Sequence, residues 1–481
     1  MSKQPEHGLL TTGRYVPRLR LERSEIFAQH RWMAPGLKSR ARGQRSMANW
    51  DEDAVTMALE AVRGSGGSVE DASGLTLAST SLPFAERINA GIVASALGLP
   101  AAAQVRDVTS SARAATTELL SALTLPQPGV GPCWVAAAER RAHRPASVLE
   151  MISGDGAAAV SVGWGAPIAT LVGAHTVHAD FVDHFRESGQ RYDYGWEERW
   201  VREEGYLKIG AGAIRDTLKR HGVEAADVDH FVMPAVLARV NDAVAKRVGI
   251  RPEAVAPTLA DDVGDLGCAQ PLAMLDEVMR RAAPGALIVL TAFGGGCDVL
   301  LLRRTEVPCP GSVPGAGKPE TSYLKYLSFT GQLDLEWGMR AEMDNKTALT
   351  AAWRDHDRVA RFMGGRCRHC GTVQFPSLRV CVNPDCNQQD SQDPVSLAQA
   401  PARVLSHTSD FLAYTPHPPF QFGHIDFDGG GRVLMEFTDT DQDELKPGLA
   451  VRMVYRIKEY DSKRGFRRYF WKATPVRAAA A

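Results

Sequence analysis

The chain has 481 residues, 44% of them hydrophobic and 23% charged, with a formal net charge of -1. That length exceeds one ordinary core and predicts two or three domains. Near-neutral charge removes the electrostatic case for nucleic acid or an anionic membrane as partner. No stretch of Met1–Arg20 is apolar enough for a signal peptide, and no window reaches the ~18 uninterrupted apolar residues of a membrane span, so a cytoplasmic protein is expected.

The first 320 or so residues alternate β-rich and Ala-rich helical runs. Asp51–Val62 places Val55, Ala58, Leu59 and Val62 on one helical face behind an acidic first turn. Leu75–Ser79 is a predicted strand, Asn89–Leu97 an apolar helix, and Val105–Val108 a strand that leads into DVTSSARAATTELL, whose helix runs to Leu123. Ser110, Ser111, Ala112, Ala114 and Ala115 leave little side-chain volume there, so a ligand or another backbone segment can approach the helix start. Cys133–Ala137 and Ala157–Val162 are predicted buried strands. Phe231–Met233, Leu287–Ala292 and Val299–Leu302 are further strands, with helices at Leu237–Val248 and Ala269–Ala282. Two α/β halves of similar order suggest an internal duplication. Between them, Asp180–Tyr206 is dense in aromatics and charges. It is read either as an amphipathic surface or dimer-contact helix, or as a lid that carries Tyr192, Tyr194 and Trp196.

Seven segments carry a resemblance: RSMANWDEDAVTMALEA, ASTSLPFAERINAGIVASALGL, DVTSSARAATTELL, GDGAAAVSVG, FVMPAVLARVNDAVAKRVGI, GDLGCAQPLAML and TAFGGGCDVLLLR. In order and spacing they resemble the thiolase superfamily, in particular hydroxymethylglutaryl-CoA synthase and β-ketoacyl-ACP synthase III. The resemblance implies a duplicated five-layer αβαβα fold, a homodimer, and action on small-molecule acyl-CoA thioesters, with the thioester as substrate. It also implies what is missing. The family's nucleophilic cysteine falls at Ala112, its histidine at Pro234, its asparagine at Asp265, and the glutamate of the hydroxymethylglutaryl type near Thr80. The backbone donors of an oxyanion hole, from Ala112 and from the FGGG loop with Gly295 and Gly296, do not depend on those side chains.

A site that keeps enolate stabilisation and lacks the nucleophile suits (retro-)aldol cleavage of a β-hydroxyacyl-CoA, which needs a base and no acyl-enzyme. Asp265 is the first candidate base, on the expectation that burial raises its pKa; its alternative role is a helix N-cap. Tyr192 and Tyr194 follow if the middle segment folds over the pocket. Cys268 and Cys297 are candidates for a relocated nucleophile or small buried hydrophobes. The alternatives are Claisen-type or thiolytic acyl transfer on a β-keto compound using acetyl-CoA or CoA, and a non-catalytic acyl-CoA-binding scaffold for a partner condensing enzyme. The basic residues Arg18, Arg20, Arg23, Lys38, Arg40, Arg42 and Arg45 contact CoA phosphates or form a solvated surface.

The remainder is organised differently. Pro308–Lys318 is a Pro/Gly-rich end to the first domain, and Thr321–Asp357 reads as a helical connector with Leu335, Met339 and Met343 on one face. Cys367, Cys370, Cys381 and Cys386 form a C-x2-C-x10-C-x4-C pattern. Two such knuckles suit a closed tetrahedral structural Zn²⁺ site, with iron of the rubredoxin type as competitor. His369, inside the first knuckle, is expected to be exposed. Five strands from Ala402 onward fit a small OB-type barrel. A zinc ribbon with an OB fold resembles the module that accompanies thiolase-like enzymes. The expected domains are 1–315, 316–360, 361–398 and 399–481. The barrel's aromatics also suit stacking on nucleic acid, a reading set aside for the neutral charge and the thioester-type fold beside it.

Overall fold

The computed structural model of the protein describes residues 5–125, 128–311, 315–441 and 443–477. The first half contains strands β1 (Glu6–Tyr15), β2 (Gly74–Ala78), β3 (Gln104–Val108), β4 (Cys133–Glu139) and β5 (Gly156–Gly165), with helices α1 (Ala54–Gly64), α2 (Asn89–Leu97) and α3 (Ala114–Thr124). The second contains β6 (Ala169–His178), β7 (His230–Val232), β8 (Leu287–Phe293) and β9 (Gly296–Arg304), with α4 (Ala211–Arg220), α5 (Val240–Val248) and α6 (Gln270–Arg281). All nine strands hydrogen-bond in the order β7-β8-β9-β6-β1-β5-β4-β2-β3.

The duplication inferred from the element order is explicit in this pairing. Read inward from its edge, the first half runs β3-β2-β4-β5-β1, parallel for the first two junctions and antiparallel for the next two. The second half repeats it. Val255 bridges Phe231 in parallel, then β7 and β8 are parallel, and β8-β9 and β9-β6 antiparallel. A single pair, Leu9 with Ala169, joins the halves.

Alternation along each strand sorts the side chains into layers. On β4, Trp134 and Ala136 face α1 and α2, whereas Val135 and Ala137 face a core that contains Leu119 of α3 and Leu272 and Leu275 of α6. That same core takes Ile288, Leu290, Leu300 and Leu302 from the second half, whose other face packs Val289 and Leu301 on Ile214 and Leu218 of α4. The result is helix, sheet, helix, sheet, helix, as the resemblance implies.

Strands β1 and β6 were not anticipated; each lies beyond the segments read as periodic. Helix α3 begins at Ala114, two residues later than the small-residue turn suggests. The connector differs more. It holds only short helices, at Tyr323–Phe329, Leu349–Arg354 and His356–Ala360, and the expected face dissolves, with Met339 83% and Met343 51% exposed. Both methionines face solvent, and spacing alone does not hold a helix in water. Residues 312–314 of the Pro/Gly-rich segment lie outside the described residues. Just after it, Lys318–Glu320 pairs with Leu19–Glu22 in a separate small sheet.

Toward the C-terminus, β10 (Met363–Cys367), β11 (Val373–Gln374) and β12 (Gln392–Ser396) frame the cysteine knuckles. Strands β13 (Ala402–Asp410), β14 (Phe420–Phe427), β15 (Arg432–Glu436), β16 (Ala450–Asp461) and β17 (Phe466–Pro475) pair as β15-β14-β13-β16-β17. A bridge between Phe437 and Ala473, with Thr438 N donating to Ala473 O at 2.9 Å, closes the ends. This geometry is compatible with the OB-type barrel expected. Phe362 and Trp471 stack at 6.4 Å to fasten ribbon to barrel.

The barrel is locked to α1. Asp53 caps that helix, accepting from Val55 N and Thr56 N. The neighbouring acids turn outward to the barrel: Arg456 Nη2 lies 3.1 Å from Glu52, and Lys472 Nζ 3.0 Å from Asp51. All four side chains are at most 2% exposed.

Candidate active site

Strand β3 delivers the chain into a turn at Ser110, whose φ of 76° is left-handed. The turn is clamped to the glycine loop between β8 and β9. Ser111 Oγ and Arg113 Nε both donate to Gly294 O, at 3.1 and 2.9 Å, and Arg113 Nη1 donates to Asp298 Oδ1 at 2.7 Å. Asp298 is fully buried and also accepts from Thr116, Thr117 and Thr176, so the charge that anchors the clamp is fully compensated. Gly294 eases this approach: a Cβ there would crowd Ala112 N at 3.3 Å and Ser111 Oγ at 3.0 Å. The turn at residue 112 and the FGGG loop thus lie directly against each other.

Within the loop the glycines divide their roles. Gly294 N is occupied by Gly296 O at 3.0 Å. Gly296 has φ 121° and pairs with His178, and a Cβ on it would lie 2.1 Å from Val177 O, so this residue serves backbone packing. Gly295 N and Ala112 N have no acceptor among the described hydrogen bonds.

Ala112 opens onto a cavity of about 770 Å³. Pro234 and Asp265 line it as well, so three of the four family positions that lost their side chains meet at one place. The fourth, Thr80, lies beneath: its N and Oγ1 donate to Glu139 Oε1 at 3.0 and 2.9 Å. Glu139, which sequence reading missed, is a fully buried carboxylate at the end of β4.

The middle segment covers the cavity. It is a small hairpin, His184–Phe185 against Tyr194–Gly195, followed by a helical turn and a π-helical stretch, Val201–Gly210, that runs into α4. This supports the lid reading over a simple amphipathic helix. Gly205 lets the stretch sit on the sheet end, since a Cβ would meet Phe181 and Phe293 at 2.9 Å. Tyr206 packs on Phe293 with ring centroids 4.6 Å apart and tilted by 38°, and burial pushes its hydroxyl pKa up.

The candidate side chains are placed unequally. Asp265 is not an isolated base, because Arg141 Nη2 donates to its Oδ1 at 2.9 Å and Gly267 N at 3.0 Å. It also does not cap α6, which begins at Gln270. Tyr192 lines the cavity but donates its hydroxyl to Gln332 Oε1 at 3.2 Å, and Tyr194 is an exposed rim residue beside Phe185 and Trp196. Cys268 and Cys297 are both fully buried and neither lines the cavity; burial pushes both thiols up, away from thiolate. Relocated covalent chemistry through them is therefore not what the geometry offers. Of the basic N-terminal residues, Arg45 is fully buried on Glu150 O and the Tyr326 hydroxyl, Arg20 and Arg23 bond to backbone carbonyls, and Arg18 pairs with Asp441. These four build the fold and are neither solvated surface nor a phosphate site.

Residues the sequence reading passed over complete the cavity wall: Arg141 and His143 from the loop after β4, and Asp183 and His184 from the lid. His184 Nδ1 lies 3.1 Å from Asp183 Oδ2. The only hint in the sequence was density of charge, which looks the same in a solvated loop.

In the ribbon, the sulfurs of Cys367, Cys370, Cys381 and Cys386 all lie within 4.8 Å of one another, with Cys367–Cys386 at 3.8 Å and Cys370–Cys381 at 3.6 Å. Tetrahedral Zn–S bonds of ~2.3 Å imply sulfur separations of about 3.8 Å, so the four thiolates fit Zn²⁺ with no open position.

Comparison with known proteins agrees with this architecture. Residues 218–301 match the family described as 3-oxoacyl-[acyl-carrier-protein (ACP)] synthase III C terminal, and residues 354–389 match ChsH2, rubredoxin-like zinc ribbon domain. The hydroxymethylglutaryl-CoA synthase of Aeropyrum pernix is 29% identical over 73% of this chain and 98% of its own length. In sequence and fold this chain is similar to the thiolase-like synthases. It carries a zinc-ribbon domain in the same polypeptide. The hydroxymethylglutaryl-CoA synthase of Methanopyrus kandleri is 27% identical over 60% of the chain and 84% of its own length. Among solved structures, 3-oxoacyl-(acyl carrier protein) synthase III, FabH, from Pseudomonas aeruginosa PAO1 superposes with a TM-score of 0.56 at 22% identity, covering 63% of this chain and 99% of its own. A variant of OleA from Xanthomonas campestris gives 0.56 at 19% identity, covering 62% and 98%. No helix among the described residues is long and apolar enough to cross a membrane.

Proposed function

We propose that the protein makes or breaks a carbon–carbon bond next to a CoA thioester without an acyl-enzyme, and that its reaction is the (retro-)aldol cleavage of a β-hydroxyacyl-CoA. One observation carries the reading. The turn that would present a nucleophile presents Ala112, its backbone N–H unengaged, and no cysteine lines the cavity among the described residues. With the thioester carbonyl oxygen between Ala112 N and Gly295 N, loss of the β-hydroxyl proton breaks the Cα–Cβ bond. The electron pair moves into the thioester enolate, and protonation at Cα releases an acyl-CoA and a carbonyl compound. Preorganised donors of this kind contribute on the order of 3 kcal/mol each toward an oxyanion.

The relatives named above act, by their names, as synthases that join acyl units, which supports acyl-CoA chemistry at this fold. A homodimer is part of the reading, because β3 leaves one sheet edge unpaired. Incubation of the pure protein with β-hydroxyacyl- and β-ketoacyl-CoAs, with and without acetyl-CoA or CoA, tests it. Cleavage of the β-hydroxy compounds without an added thiol is the expected result. A requirement for added CoA would replace the aldol reading with acyl transfer, and inertness across the panel would replace it with a binding scaffold.

A further inference from the structure

The ring of His143 is 1% exposed, lines the cavity beside Ala112 and Asp265, and finds no partner for either nitrogen among the described residues. A buried imidazole left unpaired on both sides is costly to a fold, and such groups in native structures point to a missing ligand or a catalytic use. Across the same cavity His184 is held differently. Its Nδ1 faces Asp183 Oδ2 at 3.1 Å, the Asp183 backbone is fixed in turn by Trp196 N donating to its carbonyl at 3.1 Å, and Nε2 makes no hydrogen bond among the described residues. A carboxylate that orients one nitrogen and leaves the other toward a cavity is the usual setting of an acid–base histidine.

We propose that His143 and His184 form the acid–base pair of this site, with Asp183 as the positioning residue of His184, in place of the side chains lost at positions 112, 234 and 265. The assignment rests on the aldol reading above. In the cleavage direction neutral His143 accepts the β-hydroxyl proton, the Cα–Cβ bond breaks, its electron pair becomes the enolate, and His184 delivers one proton to Cα. Afterwards His143 releases its proton to solvent and His184 takes one up, so protons balance over the cycle.

The electrostatic surroundings agree with these opposite roles. Burial, then Arg141, Arg45, Arg186 and His184, push His143 well below the ordinary imidazole range and keep it neutral. The Asp183 hydrogen bond raises His184 against the opposing effects of burial and Arg141, with Asp193 adding to the rise. Two like groups whose environments separate their pKa values divide naturally into base and acid.

The test uses the full chain with His143→Gln, His184→Gln and Asp183→Asn, each checked for folding by thermal melting. Two reactions are followed: cleavage of β-hydroxybutyryl-CoA and β-hydroxy-β-phenylpropionyl-CoA, and exchange of the acetyl-CoA methyl protons in D2O. Both glutamine variants are expected to lose cleavage by about 10²- to 10⁴-fold. His184→Gln alone should lose proton exchange, since only that residue works at Cα. Asp183→Asn should move the alkaline limb of the cleavage profile to lower pH, because His184 then loses its proton more readily. Cleavage within about threefold of wild type in both glutamine variants, or exchange lost in His143→Gln and kept in His184→Gln, would overturn the assignment while leaving the aldol reading intact. A wild-type chain inert toward all these thioesters sinks both.

Discussion

Arg141 Nη2 donates to Asp265 Oδ1 at 2.9 Å on the cavity wall, and this pair replaces the isolated acidic base expected at position 265. The two side chains are 10% and 14% exposed, so each charge depends on the other. Asp265→Asn would take from the buried Arg141 guanidinium its hydrogen-bonded counter-charge, leaving the more distant Glu139 and Asp193. The expected cost is about 3 kcal/mol in chemical denaturation, and Arg141→Met in the Asp265→Asn background should recover part of it. A single variant as stable as wild type would show that the pair is not formed in solution.

The placement of the thioester carbonyl can be probed by giving the turn its thiol back. Ala112→Cys puts sulfur beside the Gly294–Gly295 loop and one residue before Arg113, with space already present in the cavity. Intact-mass spectrometry after incubation with an acyl-CoA should show one acyl adduct per chain, absent from the parent. Lack of any adduct would argue that thioesters do not bind with their carbonyl at this turn.

Metal content follows from the ribbon. Purified protein should hold one equivalent of zinc, by atomic absorption. Cys381→Ser should lower it and loosen the packing of Phe362 on Trp471, because the ribbon strands are short and the metal fixes the knuckles that they carry. Red colour and iron in place of zinc would indicate the rubredoxin-type alternative.

The barrel and the first half should unfold together. Arg456 is 1% exposed and serves Asp51, Glu52 and Asp439 at once. Arg456→Met leaves buried Glu52 without a cation and takes one partner from Asp51 and Asp439, which keep Lys472 and Asn49, for an expected loss of about 3 to 5 kcal/mol. Calorimetry should show one transition in the wild type. In the variant the barrel transition should separate from the rest; an unchanged profile would mean the docking relies on apolar contacts alone.

Acid stability has a nameable contributor in Glu60. Burial by itself would raise its pKa, but Arg63 and Arg452, each at 2.7 Å, and the nearby Arg456 outweigh that and bring it down from 4.5 to about 2. A depressed carboxyl stabilises the fold above its unfolded pKa, and the contribution disappears as pH falls from about 4.5 through about 2. The shift corresponds to about 3 kcal/mol. Glu60→Gln should therefore be less stable than wild type at neutral pH, with the gap narrowing below pH 4.5 in guanidinium titrations. A gap independent of pH would assign the loss to packing.

What the sequence determined by itself is what depends on local periodicity and spacing. The elements around Leu75, Asn89, Cys133 and Leu287 and the four-cysteine knuckles were all legible, because each is written in contiguous residues. Asp51, Glu52 and Asp53 were read as an acidic first turn, but the helix begins at Ala54 with no acid in its first turn: Asp53 caps it, and its two neighbours belong to Arg456 and Lys472, some 400 residues away. Tertiary structure alone decided the partners of long, charged side chains. Asp265 was assigned by its loop and turned out to be defined by Arg141 from another one. His143 and His184 carried no local signal, since an imidazole in a polar segment reads the same whether water or a cavity surrounds it. Burial and charge pairing are properties of the space between segments, and the acid–base chemistry of this site is set in that space.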